Sequence, residues 1–270
     1  MKTKLDPFTR ENISQSLLAA ADEMFYTWGR TSQSTIIYEV LDYACGLTDS
    51  NGNLISQANG VTMFLGAITY SAKAILQKYG KENIKPGDMF LTNDPYTGSG
   101  THLCDVAAVL PIFYKDELVC FAVNKGHWNE IGGTNLGSWA TDTVRDMITA
   151  NCRTPEMTVG DLYAQTAALR TAEHRVIEIF DKYGRDHVIE SMEYTIDTGR
   201  KRALLELSKM PKGVYYAEDV LDTDANQVED VPIKVKVTIT EDTFELDFTG
   251  TGDAVAAPIN CSIYGALVAA

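Results

Sequence analysis

The chain has 270 residues, 45% of them hydrophobic and 22% charged, which supports one large folded domain or two smaller ones and excludes a mainly disordered protein. A formal net charge of −14 without any basic run argues against nucleic-acid binding, because phosphate recognition concentrates Lys and Arg. No apolar run reaches the roughly 18 residues of a membrane span, and the amphipathic N-terminal segment does not resemble a signal peptide.

The first and third predicted elements are helices. Apolar residues recur at helical spacing over residues 8–29, where Asp6 and Pro7 form a start signal and Gly29 a stop signal. Residues 66–79 show the pattern of a second helix.

A β-hairpin is predicted between these helices. Two short apolar stretches, 42–47 and 54–57, flank the turn-forming pair Asn51-Gly52. After the second helix, residues 88–92 predict another strand.

The middle of the chain predicts a longer hairpin with loops at its open end. The apolar stretches 106–113 and 118–123 are joined by a turn at 114–117. A turn-rich loop at 93–100 precedes this hairpin, and a glycine-rich loop at 132–137 follows it.

The last part of the chain predicts helices and then strands. Residues 160–209 are helical in pattern, and the alternating stretches 233–239 and 244–248 predict a hairpin. The fold class is therefore α+β, with helices packed on mixed or antiparallel sheets.

The predicted organisation is an α+β region at 1–150, followed at 151–270 by a helical segment and a β-hairpin region. We expect both to belong to one continuous domain. The apolar segment 263–270 at the C-terminus predicts a longer parent protein or a partner that covers this end.

Five widely spaced cysteines, none in CxxC spacing, indicate neither a zinc knuckle nor a thioredoxin-type site. Buried, reduced thiols are typical of cytosolic proteins, so we expect a cytoplasmic location.

Two of the four histidines lie in parallel settings at the predicted hairpin's open end. His102 enters its first strand and His127 leaves its second, and a carboxylate follows each by three residues, at Asp105 and Glu130. Flanking glycines would let the backbone approach a ligand. Two imidazoles and one carboxylate at strand ends suit Mn²⁺, Fe²⁺ or Zn²⁺ with positions left open for water or substrate. The residues alone leave open the alternative that the two histidines are unrelated and satisfied by backbone carbonyls.

Several motifs fall in a fixed order along the chain. They are Asn93-Asp94-Pro95-Tyr96, Gly100-Thr101-His102-Leu103-x-Asp105, His127-x-x-Glu130-Ile131-Gly132-Gly133, Asn151-x-Arg153-x-Pro155, Gly160-Asp161-Leu162-x-Ala164-Gln165 and Asp247-Phe248-Thr249-Gly250-Thr251. Together they resemble the hydantoinase B/oxoprolinase family. That family includes one of the two subunits of ATP-dependent N-methylhydantoinases, the C-terminal half of 5-oxoprolinase, and subunits of acetone and acetophenone carboxylases.

The resemblance implies a divalent transition metal (manganese, zinc or iron) held by His102, Asp105 and His127. It also implies a partner of the hydantoinase A type that binds ATP and phosphorylates the substrate or bicarbonate. The sequence contains no phosphate-binding loop, consistent with ATP binding in that partner. We therefore expect a hetero-oligomer acting on a small molecule.

The leading hypothesis is a subunit of an ATP-dependent hydrolase that opens a cyclic amide such as a hydantoin, oxoproline or a lactam. Glu130 and Asp94 are the candidates for the general base. Asn93, Tyr96 and Trp128 are candidates for the substrate pocket, although the two aromatic side chains could instead pack within their loops.

Two other functions remain open at this stage. One is a subunit of an ATP-dependent acetone- or acetophenone-type ketone carboxylase, which the run Gly126-His127-Trp128 slightly favours. The other is a non-catalytic structural subunit, against which the intact set of three metal ligands counts.

The sequence departs from the family pattern in three respects. Glu130 stands where many members have Asp, which lengthens the reach of that carboxylate. Residues 140–146 join Trp139 to Asn151 by a shorter path than is usual. Full family subunits are roughly twice as long, so the chain resembles a truncated subunit or one half of a split subunit.

Overall fold

The computed structural model describes residues 5–97, 101–131, 149–221, 230–255 and 260–269. In chain order, the elements are α1 (Pro7–Thr31), α2 (Thr35–Tyr38), β1 (Tyr43–Asp49), β2 (Leu54–Gly60), α3 (Thr62–Tyr79), a 3₁₀ turn (Lys81–Asn83), β3 (Phe90–Thr92), β4 (Asp105–Tyr114), β5 (Glu117–His127), α4 (Pro155–Tyr183), α5 (Arg185–Lys209), β6 (Gly213–Leu221), β7 (Val231–Ile239), β8 (Phe244–Asp247) and α6 (Ile263–Ala269). The α+β class with antiparallel sheets is confirmed.

The chain divides into two compact units. The first comprises Met1–Ile196 with Ser262–Ala269, and the second comprises Asp197–Cys261. The predicted regions 1–150 and 151–270 stay a prediction.

The first unit is built on a five-stranded antiparallel sheet in the order β2-β1-β5-β4-β3. Helices cover both of its faces. On one face lie α1 and α4, where Trp28 and Leu169 are fully buried, and on the other lies α3, whose Phe64 is buried. Successive residues of β4 alternate between the two cores, Val109 toward α3 and Leu110 toward α1 and α4. Because both faces are covered, the central strands are continuous apolar runs.

The long predicted hairpin is confirmed as β4 and β5. Its strands pair from Tyr114↔Glu117 at the turn to Asp105↔His127 at the open end. The two turn residues, Lys115 and Asp116, have φ values of 49° and 64°, the left-handed pair typical of a two-residue hairpin turn.

The predicted start of α1 is confirmed, but its predicted stop is wrong. The Asp6 carboxylate accepts hydrogen bonds from the backbone N–H groups of Phe8 and Thr9. The helix passes through Gly29 and ends at Thr31. A Cβ on Gly29 would lie 2.3 Å from the Tyr43 hydroxyl oxygen, so this glycine allows close packing of α1 on β1.

The second unit contains a three-stranded antiparallel sheet in the order β6-β7-β8. The predicted hairpin is confirmed as β7 and β8, and β6 is a strand that the sequence pattern did not reveal. Its residues do not alternate in polarity, because residues 214–217 form an apolar run and two acidic residues follow.

The apolar C-terminal segment forms α6 in the first unit. The ring of Tyr264 packs against that of Tyr70 on α3, with centroids 5.1 Å apart. Within the described residues, no helix is both long and apolar enough to cross a membrane.

Candidate metal centre

The β4–β5 ladder ends at the two residues predicted to share a metal. Asp105 and His127 are direct register partners. Because they face each other across the last pair of the ladder, their side chains lie on the same face of the sheet.

The loop before β4 adds the third residue. His102 Nδ1 lies 3.2 Å from Asp105 Oδ1, and His127 Nδ1 lies 3.1 Å from the same oxygen. The two imidazole rings are edge to face, with centroids 4.8 Å apart. One ligand atom from each residue lies within 4.8 Å of the others, so the triad could hold a metal ion.

Burial differs among the three side chains. The Asp105 side chain is fully buried, that of His127 is 25% exposed and that of His102 is 66% exposed. The carboxylate thus forms the floor of the site, and the side of His102 is open to solvent.

The electrostatics favour an ionised carboxylate and a basic imidazole. Burial is the largest influence on Asp105 and raises its pKa, but the hydrogen bonds from His127 and Thr101 and the charges of His102 and Lys125 outweigh it and lower the pKa overall. The hydrogen bond to Asp105 raises the pKa of His127, against the opposing effect of burial.

A second carboxylate, Asp42, lies beside the triad and was not identified from the sequence. It immediately precedes β1, and its backbone carbonyl accepts a hydrogen bond from the His127 N–H at 3.0 Å. Burial raises the pKa of the Asp42 carboxyl, and the charges of His127, Asp105 and His102 also act on it. Only the pairing of β1 with β5 brings Asp42 here, and no local sequence signal indicates that pairing.

Lys125 is fully buried behind the triad. Two residues before His127, it shares a face of β5 with that histidine. Its Nζ donates to the Asp105 carbonyl at 3.3 Å and lies 5.6 Å from the centroid of the Phe64 ring. Burial lowers the pKa of Lys125 to about 8, although Asp105 opposes the shift.

Glu130, a predicted catalytic residue, contacts the start of α4. Its Oε1 accepts hydrogen bonds from the backbone N–H groups of Arg153 and, at 2.9 Å, Thr154, while Oε2 accepts from Arg153 Nη1 at 2.8 Å. Burial raises the pKa of Glu130, but these hydrogen bonds and the Arg153 charge outweigh it and lower the pKa. The side chain therefore caps a helix N-terminus that lacks a side-chain cap from Thr154 itself.

Asn93, Asp94 and Tyr96 line a groove of about 700 Å³ between α3, the end of β3 and α6. Asn93 Nδ2 donates to the Leu103 carbonyl at 2.8 Å, which ties the groove to the loop carrying His102. The Asp94 carboxylate accepts from the Tyr96 backbone N–H at 2.8 Å, and Tyr96 is 69% exposed.

Trp128 lies apart from that groove. It is buried, and its indole N–H donates to Gln165 Oε1 at 3.1 Å. The glycine before His127 also has a packing role, because a Cβ on Gly126 would lie 2.6 Å from Trp28 and 2.8 Å from Tyr43.

Two imidazoles and a buried carboxylate are a donor set that suits a borderline divalent ion, so the residues fit the metal that the family resemblance implies. The remaining histidines, His174 and His187, contact Glu178 and the Tyr183 carbonyl on exposed helix surfaces. The five cysteines are free thiols.

Comparison with known proteins places the chain. It is 32% identical to a putative D-/L-hydantoinase component, of the hydantoinase B type, from Pseudomonas sp. (strain NS671), over 97% of this chain and 50% of that protein. It is 31% identical to an uncharacterised protein of Methanocaldococcus jannaschii, over 98% of this chain and 51% of that protein. The chain thus spans about half the length of these relatives.

Two solved structures are similar. The ATP-dependent caprolactamase from Pseudomonas jessenii superimposes with a TM-score of 0.89 at 27% identity, over 98% of this chain and 50% of that one. A nucleotide-free acetone carboxylase has a TM-score of 0.76 at 18% identity, over 93% of this chain and 38% of that one, and shows a likeness in fold alone.

The hydantoinase B/oxoprolinase family matches the chain in two segments, residues 6–145 and 140–270. The segments meet where the sequence predicts a shortened connection, a stretch outside the described residues. The two matches together span nearly the whole chain, and the chain belongs to the hydantoinase B/oxoprolinase family.

Proposed function

We propose that the chain is the metal-containing subunit of a cytoplasmic, ATP-dependent hydrolase that opens a cyclic amide. The proposed partner is an ATP-binding subunit of the hydantoinase A type. The observation that carries the proposal is the triad of His102, Asp105 and His127, gathered around one buried carboxylate oxygen in a chain of this family.

The proposed chemistry divides between two subunits. An unactivated amide resists hydrolysis because nitrogen is a poor leaving group. Phosphorylation of the carbonyl oxygen by the partner would make the ring carbon more electrophilic. A divalent ion at the triad would supply Lewis-acid polarisation and lower the pKa of water.

The chain's own residues would orient the substrate and move protons. His102, Asp105 and His127 would hold the ion, with the buried carboxylate fixing both imidazoles. Asp42 would act as a fourth ligand or as a proton acceptor, because its raised pKa suits a group that exchanges a proton. Lys125 would balance the negative charge that gathers there.

Asp94 and Glu130 remain the sequence-based candidates for the general base. The contacts of Glu130 with Arg153 and Thr154 favour an anchoring role, since both of its oxygens already accept hydrogen bonds. Asp94 lines the groove with Asn93 and is the better-placed candidate. Asn93 and Tyr96 would contact the substrate, and Trp128 would support His127 from the core.

The hydrolase is preferred over the ketone carboxylase on the strength of the comparisons. The relatives between 27% and 32% identity include a putative hydantoinase component and a caprolactamase. The acetone carboxylase likeness lies at 18% identity and concerns the fold.

The metal is tested first. The complex purified after co-expression with a hydantoinase A-type subunit is expected to contain about one transition-metal ion per copy of this chain. His127→Ala is expected to remove that metal and leave the fold intact. The matched control is His174→Ala, an exposed histidine on α4, which should retain full occupancy. Full metal content in a His102→Ala/His127→Ala double variant would refute the site.

Substrate-dependent ATP turnover tests the reaction. The complex is expected to hydrolyse ATP only when a suitable cyclic amide is present and to form product equally with and without bicarbonate. An absolute need for bicarbonate would favour the carboxylase, and turnover unaffected by loss of the metal would favour a structural subunit.

A further inference from the structure

One buried glutamine links α4 to the ends of both strands that carry the triad. Gln165 is fully buried. Its Nε2 donates to the carbonyl oxygen of Val106 at 3.1 Å and to that of Asn124 at 3.4 Å. Its Oε1 accepts the indole N–H of Trp128 at 3.1 Å.

The orientation of this amide is fixed by chemistry. The Trp128 indole can only donate and backbone carbonyls can only accept, so the Gln165 oxygen must face the indole and its nitrogen the carbonyls. Asn124 reciprocates, because its Nδ2 donates to the backbone carbonyl of Gln165 at 3.0 Å. Both N–H groups and the oxygen of the glutamine side chain are therefore used in a site that excludes water.

The bonded atoms lie one residue from two of the proposed ligands. Val106 follows Asp105, and Trp128 follows His127. These two ligands form the last pair of the β4–β5 ladder, and terminal pairs of a ladder are the ones most prone to local opening. The Gln165 side chain joins both strand ends to the middle of a 29-residue helix.

We propose that Gln165 is a positioning residue of the metal centre. It holds the ends of β4 and β5 together, and so fixes the separation of the Asp105 carboxylate and the His127 imidazole, without contacting metal or substrate. The inference rests on the proposed metal binding by the triad.

The test compares Gln165→Met with Leu169→Ala in the native complex. Methionine has a similar length but cannot replace the hydrogen bonds, and Leu169 is an equally buried residue one turn further along α4. We expect Gln165→Met to bind Mn²⁺ or Zn²⁺ about 10–100-fold more weakly in calorimetric titrations, the usual effect of removing a group that orients metal ligands. Leu169→Ala should lower stability and leave the affinity unchanged.

Hydrogen–deuterium exchange in the metal-free protein gives a second readout. Gln165→Met should speed exchange in residues 101–107 and 124–131 beyond its effect on the rest of the sheet, and Leu169→Ala should not. If the unaltered protein binds no metal, the proposed function fails while this comparison still decides the role of Gln165.

A milder variant guards against misfolding. Trp128→Phe removes a single hydrogen bond of the group and should weaken metal binding less than Gln165→Met does. Unaltered affinity together with unaltered exchange in Gln165→Met would overturn the inference. Equal weakening of metal binding by Leu169→Ala would also overturn it, because the effect would then be one of general stability.

Discussion

Replacing Glu130 by Gln separates an anchor of α4 from a general base. Hydrogen bonds to a charged acceptor contribute about 1.5–3 kcal/mol each, against about 1 kcal/mol for neutral pairs. Glutamine would keep an oxygen for the N–H groups of Arg153 and Thr154 but lose the charge, at a cost of about 1 kcal/mol for each bond. The Arg153 side chain is 57% exposed, so its ion pair adds at most about 1 kcal/mol. We therefore expect the free energy of unfolding to fall by about 2–3 kcal/mol.

The effect should depend on pH in a defined direction. Glu130 has a lowered pKa in the folded protein, so its stabilisation is complete above the unfolded-state value of about 4.3 and is lost as the pH falls through the folded-state pKa. Glutamine does not titrate. The stability difference between the two proteins should therefore be constant from pH 6 to 8 and shrink below about pH 4.5.

Urea denaturation followed by circular dichroism measures this difference. The control is Glu117→Gln, which breaks an exposed ion pair with Arg185 and should cost less than about 1 kcal/mol. A Glu130→Gln protein as stable as the unaltered one at pH 7 would refute the anchoring role. In the active complex, a rate loss of roughly two to four orders of magnitude would identify Glu130 as the base, and a loss below about tenfold would support the anchor.

Three further predictions concern the surroundings of the triad. Because metal binding requires a neutral imidazole and the pKa of His127 is raised, metal affinity should fall by up to about tenfold per pH unit once the pH drops below that raised value; titrations at constant affinity from pH 8 to 5.5 would contradict this. Asp42→Asn should reduce turnover by about two orders of magnitude or more. Elemental analysis then distinguishes a ligand, whose loss removes the metal, from a proton acceptor, whose loss does not, and normal turnover would place Asp42 outside the site. Gly126→Ala should lower the unfolding free energy by about 1–3 kcal/mol in denaturant melts, because the new Cβ would overlap Trp28 and Tyr43, and an unchanged midpoint would contradict the packing described.

The triad could be predicted because its geometry is nearly local. The turn at 114–117 and two apolar strands of similar length fix a hairpin, and a hairpin fixes which residues meet at its open end. His102 is three residues from Asp105, so the loop could hardly place it far away. The pattern of apolar residues therefore sufficed to bring three candidate ligands together.

Asp42 and Gln165 could not be predicted in the same way. Asp42 reaches the site only because β1 pairs with β5, and sequence alone does not give strand order. Gln165 reads as one polar residue in an amphipathic helix, and its burial against the sheet is a property of tertiary packing. Gly126 was expected to admit a ligand, whereas it accommodates Trp28 and Tyr43.

The locality of the hairpin also bears on the order in which the protein folds. Asp105 and His127 are separated by 22 residues, whereas His127 and Asp42 are about four times as far apart along the chain. Closing the longer loop costs on the order of 1 kcal/mol more in chain entropy, so the Asp105–His127 pair can form before β1 docks. A partly folded chain already holding this hairpin would have some affinity for the ion. Added metal would then raise the equilibrium stability by less than the affinity of the native site suggests, because it also stabilises species on the way to the native state.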